Sequence, residues 1–102
     1  MKNIMDYKEI IKSSEIVMVE FFASWCPHCQ RMMPIVAQIK ELLQGKVNIY
    51  QFDIDEYADL AQANGADSVP TFIIYKNVEE QWRESGEIDG PVLLSKLESY
   101  LS

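Results

Sequence analysis

A chain of 102 residues has room for one domain, expected to span residues 1–102, and 48% hydrophobic against 25% charged residues excludes disordered, collagen-like and disulfide-scaffold classes. Sixteen acidic residues against nine basic ones leave a formal net charge of −7, which repels phosphate, so no nucleic acid and no membrane surface is expected as a partner. No apolar stretch nears the roughly 20 residues of a membrane span, and residues 1–9 lack the apolar core of a secretory signal, so a cytoplasmic address is expected.

Asp6 and Glu9 have capping-box spacing, and Tyr7, Ile10 and Ile11 make an apolar stripe, which predicts a first helix over about residues 6–13. Ile16 to Ala23 is an apolar run, rich in β-branched and aromatic residues, with one acid, Glu20, inside it. It reads as a strand buried on both faces, at the centre of a sheet. Met32, Ile35, Val36, Ile39, Leu42 and Leu43 then recur at helical spacing, predicting a helix over 27–44 that Pro34 kinks and Gly45 ends. Val47 to Ile54 reads as a second strand, after which Asp55 is expected to cap a short helix stopping near Asn64-Gly65. Thr71 to Tyr75 is a third strand, Lys76 to Glu79 a turn, and Glu80 to Glu84 a more polar fourth strand suited to a sheet edge. Gly90-Pro91 opens a last helix whose Leu93, Leu94, Leu97, Tyr100 and Leu101 face the core. Strands alternating with helices, then a hairpin and a closing helix, predict an α/β fold: a mixed sheet covered on both faces.

The only two cysteines, Cys26 and Cys29, stand three apart, and a bridge between them closes too short a loop to stabilise a core. Trp25-Cys26-Pro27-His28-Cys29 joins a buried strand to a helix, which places Cys26 where free backbone N–H groups and the helix dipole favour a thiolate. Thiolate is the nucleophile of disulfide exchange, so Cys26 reads as the attacking sulfur and Cys29, one turn inside, as the resolving one. The alternatives are two small core hydrophobes, or a zinc site shared between chains, since two cysteines and one histidine cannot complete a tetrahedral site alone; no metal is expected. Glu20, buried ionised at some cost, would have a raised pKa and could take the proton of Cys29 through water; otherwise it points to solvent. Trp25 reads as a flat shield over the site or as a core aromatic, and Pro70 as an ordinary turn proline before a strand.

Val19 to Cys29, Pro34, and Val69-Pro70-Thr71-Phe72 resemble the thioredoxin family over nearly the whole chain: an acid six before the first cysteine, a proline eight after it, and Lys76-Asn77 after the third strand. The resemblance implies a thioredoxin fold with a central mixed sheet of four to five strands, its first strand short or absent. It further implies protein thiol–disulfide exchange, a cis peptide before Pro70, and a place for Pro70 beside the cysteines, where the Val69 backbone could pair with an extended client peptide. Disulfide-containing client proteins are the implied partners. A flavin reductase fed by NADPH would recycle the chain, which holds no cofactor of its own and is expected to be a monomer.

Pro27-His28 departs from the Gly-Pro more usual in thioredoxins and matches the pair of the periplasmic disulfide oxidants. His28 would stabilise the Cys26 thiolate by charge or hydrogen bond and make the disulfide more oxidising. Glu20 replaces the usual aspartate, and Gln51 a common lysine. The expected activity is reduction of protein disulfides; an oxidase or isomerase, and a non-catalytic docking module, are the rivals. Trp82, Arg83, Glu79, Glu80, Glu84 and Glu87 read as an exposed edge without chemistry, and Arg31 as a solvated helix-surface residue.

Overall fold

Apolar residues at alternate positions of the strands and at helical spacing along the helices decide which faces meet, and the sheet is the layer they share. A computed structural model of the chain describes residues 7–101. The elements are α1 (Tyr7–Ile11), β1 (Ile16–Phe22), α2 (Pro27–Leu42), β2 (Val47–Asp53), α3 (Ala58–Ala63), β3 (Thr71–Lys76), β4 (Glu79–Ser85) and α4 (Gly90–Glu98). Among the described residues the sheet has four strands in the order β2-β1-β3-β4; β1 is parallel to β2 and antiparallel to β3, and β4 is antiparallel to β3. Asp6 of the expected capping box and the expected short or absent first strand lie outside the described residues.

The central position of β1 and the edge position of β4 follow the sequence pattern: the first six residues of β1 are buried, whereas β4 is exposed except at Trp82. Ile16 and Met18 of β1, Val47 and Ile49 of β2 and Phe72 and Ile74 of β3 pack against Met32, Val36 and Ile39 of α2 and Leu93 and Leu97 of α4. The opposite face sets Val17, Val19 and Phe21 with Ile73 and Tyr75 against Ile10 and Ile11 of α1 and Ala61 of α3. By this alternation Glu20 belongs to the face that α2 covers.

Some expectations shift. Helix α2 stops at Leu42 rather than residue 44, with Leu43 as its C-cap and Gly45 beyond it at φ +84°. Pro34 sits inside α2, which runs through it from Pro27 to Leu42. Asp55 does not cap α3: Tyr57 occupies the N-cap without a side-chain bond, and Asp53 Oδ1 instead accepts the Asp55 backbone N–H at 2.8 Å. The short aspartate side chain competes for nearby amides, and the residue placed to do so is two positions earlier than the spacing suggests. Trp82 is no plain edge residue, since it packs partly buried against the α2/α4 face with Lys96 Nζ 5.7 Å from its ring centroid.

Candidate active site

The path from β1 to α2 brings the cysteines to the end of the sheet. Cys26 is the N-cap of α2 in an extended conformation (φ −87°, ψ 119°), Pro27 opens the helix, and the Cys26 carbonyl accepts the first intrahelical bond from Gln30 N–H at 3.0 Å. Proline suits this first turn, where its missing N–H has no helical partner to lose. Gln30 Nε2 also donates to Ser24 O at 2.9 Å, tying the loop to the helix.

Both cysteines are free thiols, Cys26 4% exposed and Cys29 1%. They pack with Ala23 against Phe22, Ile54 and Val69. The two thiols are pushed in opposite directions. The backbone N–H of Cys29 is the main influence lowering Cys26, helped by the Cys29 thiol, the His28 backbone N–H and the charge of Arg31, against a desolvation that opposes them. Burial pushes Cys29 up to about 12, and the neighbouring Cys26 sulfur and the Glu20 carboxylate add to it. A helix N-terminus that aims several N–H groups at one sulfur and leaves the next one turn deeper yields this split directly.

Glu20 is 2% exposed and does not point to solvent. Burial pushes its carboxyl up to about 7, opposed by the hydrogen bond that Gln51 Nε2 donates to Oε1 at 2.9 Å. That bond follows from register, because Glu20 of β1 lies opposite Gln51 of β2 and both side chains leave the sheet on the same face.

The segment before β3 closes the other side. The Val69-Pro70 peptide is cis, and the Cys26 thiol points at Val69 O, 3.7 Å away. Pro70 O accepts the Gly86 N–H at 2.8 Å, while Thr71 Oγ1 donates to Ser68 O at 2.6 Å, so the loop is pinned at both ends. Trp25 is 62% exposed and donates its indole N–H to Asp55 Oδ2 at 2.9 Å, so it is a surface aromatic and not part of the core.

Two residues that the sequence left without a role stand in the site. Glu87 Oε1 lies 2.6 Å from His28 Nδ1 and 2.7 Å from Arg31 Nε, and Arg31 Nη2 lies 2.9 Å from His28 Nδ1. Arg31 is therefore not merely solvated helix surface. Glu87 arrives there because β4 pairs back along β3, Ser85 opposes Thr71, and the Gly86 N–H reaches Pro70 O, a register that no local feature of the sequence announces. Among the described residues no group of three or more His, Cys, Asp or Glu side chains converges as a metal site, and no helix is long and apolar enough to cross a membrane.

Comparison with known proteins agrees with this geometry. The family model described as Thioredoxin matches residues 2–102. The chloroplastic thioredoxin Y of Oryza sativa subsp. japonica is 36% identical over 90 residues, covering 88% of this chain and 54% of its own length. The thioredoxin of Rickettsia conorii is 38% identical over 82 residues, covering 78% of each chain. The chain thus spans about half the length of the chloroplastic relative. Among solved structures, a mutant thioredoxin from Halobacterium salinarum superposes with a TM-score of 0.85 at 29% identity, covering 94% of this chain and 83% of the other. A full-length family match, the superposition and a Cys26/Cys29 pair at the start of α2 lead to one conclusion: the chain belongs to the thioredoxin family.

Proposed function

We propose that this chain is a thiol–disulfide oxidoreductase that reduces disulfides of client proteins through Cys26 and Cys29. The observation that carries the reading is the placement of two free thiols one helical turn apart, Cys26 at the N-cap of α2 and Cys29 buried inside it, which lowers the pKa of the first and raises that of the second. Cys26 thiolate attacks one sulfur of the client disulfide; that S–S bond breaks, and the leaving thiolate takes a proton from solvent. Cys29 then gives its proton to the Glu20 carboxylate and attacks the Cys26 sulfur. The mixed disulfide breaks, the second client sulfur leaves and is protonated, and the Cys26–Cys29 disulfide remains. The client gains two electrons, which the chain has lost.

Glu20 suits the acceptor role because a carboxyl near 7 is present in both protonation states at neutral pH. Val69 and Pro70 provide the backbone edge against which an extended client segment would lie, and the exposed face of Trp25 the apolar contact beside it. Pro27 and His28 tune Cys26. The chain holds no cofactor, acts as a monomer in the cytoplasm, where thiols are kept reduced, and is returned to the dithiol by a flavin enzyme drawing on NADPH.

The opposite direction, oxidation or isomerisation of client thiols, is favoured by one observation, His28 between the cysteines. Assays of insulin disulfide reduction and of oxidation of a reduced client, run on the same preparation, separate the two. Faster reduction, abolished in Cys26→Ser, is the expected result; faster oxidation reverses the direction, and activity surviving in Cys26→Ser contradicts both.

A further inference from the structure

Resting on that reading, the contacts of His28 and Arg31 carry a consequence for how oxidising the disulfide is. Arg31 favours the Cys26 thiolate by its charge and His28 by its backbone N–H, while the His28 imidazole, between the cysteines in sequence, is held elsewhere. Neither is free to act on the sulfur alone, because Glu87, 59 residues along the chain from His28, holds both. Two groups meet at one imidazole nitrogen: Glu87 Oε1 lies 2.6 Å from His28 Nδ1 and Arg31 Nη2 lies 2.9 Å from it. Nδ1 is therefore engaged by the Glu87–Arg31 pair and is not available to the Cys26 sulfur. Arg31 in turn faces Glu87 with both Nε and Nη2. The carboxylate stays ionised, with the Arg31 and His28 hydrogen bonds holding it down at about 2.

We propose that Glu87 is a positioning residue that neutralises Arg31 and occupies Nδ1 of His28, and so restrains the oxidising power of the Cys26–Cys29 disulfide despite the Pro27-His28 dipeptide. Removing its charge changes the cluster by one unit toward positive and frees His28 Nδ1 from the carboxylate. Both changes favour the Cys26 thiolate, and a stabilised thiolate favours the dithiol over the disulfide. A competing effect exists, since Glu87 also holds Arg31 in place. Neutralisation outweighs it: a whole charge is removed at the cluster, whereas a released Arg31, anchored on α2 one turn beyond Cys26, moves its charge only partway out.

The test is the equilibrium of the Cys26–Cys29 couple with glutathione at pH 7, in the parent chain and in Glu87→Gln and Glu87→Ala. Both variants should shift the equilibrium about fivefold toward the dithiol, which is ~20 mV for a two-electron couple. Arg31→Gln should shift it the other way, and Glu87→Gln made in a chain that already carries Arg31→Gln and His28→Gly should lose most of its effect. Far-UV circular dichroism of each variant excludes a folding defect, and the exposed position of all three side chains makes one improbable on physical grounds. An unchanged equilibrium in both Glu87 variants, or a shift toward the disulfide, overturns the proposal while leaving exchange chemistry intact. A parent chain that forms no Cys26–Cys29 disulfide instead defeats the functional reading on which it rests.

Discussion

Two glutamates flank the start of α2, and they end in opposite states. Glu20, inside the sheet and 2% exposed, has its carboxyl pushed up to about 7 by burial. Glu87, on the rim beyond β4, is held at about 2 by Arg31 and His28. The same side chain is thus buried with a raised pKa in one place and held ionised against His28 and Arg31 in the other. Desolvation governs the first, and hydrogen bonds from Arg31 and with His28 govern the second. The comparison teaches that depth decides the state of a carboxyl here: the buried one is raised into the neutral range, and the surface one, paired with Arg31 and His28, stays ionised.

The largest expected effects come from the sulfurs between the two carboxylates. Cys26→Ser should abolish client reduction, whereas Cys29→Ser should still attack and then accumulate a mixed disulfide visible by mass spectrometry. If Cys29→Ser traps nothing while Cys26→Ser does, the assignment of attacking and resolving thiols is reversed.

Glu20→Gln sharpens the buried half of the comparison. A carboxyl raised from 4.5 to about 7 in the folded chain binds its proton more tightly there than in the unfolded chain. The stability it contributes is full below pH 4.5 and is lost as pH rises through about 7. That window corresponds to about 3 kcal/mol at the 1.36 kcal/mol of each pKa unit. Glu20→Gln should therefore stabilise the chain by about 1–3 kcal/mol at pH 8 and by little at pH 4, read from denaturant midpoints, while slowing release of the mixed disulfide. A stability difference independent of pH would remove Glu20 from the proton path.

A position far from both carboxylates provides the control. The two-residue turn between β3 and β4 places Asn77 at φ +51° and Val78 at φ +75°. Asparagine tolerates that region, and a β-branched residue does not. Val78→Gly should raise stability by about 0.5–1 kcal/mol, the strain relieved less the backbone entropy of glycine, with no change in the glutathione equilibrium. A shift of that equilibrium would show that redox behaviour follows overall stability and not local charge. The smallest effect belongs to Asp55→Ala, which removes the indole partner of Trp25 at the exposed rim. Stability should move by no more than about 0.5 kcal/mol, while Trp25 fluorescence changes as its N–H turns to water.

Much of this was legible in the residues. The apolar run of β1 placed it at the sheet centre, the strand-to-helix setting of Cys26 and Cys29 placed one thiol at a helix start and the other inside, and Glu20 declared itself as an acid among buried neighbours. These are local or periodic features, visible within a dozen residues. Glu87 was not legible because its partners are 56 and 59 residues away. Counting back from the Asn77-Val78 turn does not find it either, since the pairing slips by one residue between Ile74 and Tyr75, and only then does Ser85 oppose Thr71. The capping of α3 failed for a similar reason: Asp53 and Asp55 are equivalent by composition, and only the turn geometry decides which carboxylate reaches an amide.

The most direct test of the divided acidity is to titrate the two thiols of the reduced chain separately, following alkylation at each site by mass spectrometry across pH. Cys26 should react as a thiolate below the ordinary cysteine range while Cys29 stays protonated until close to pH 12. Two thiols ionising together near the ordinary cysteine value would contradict the division of roles between them.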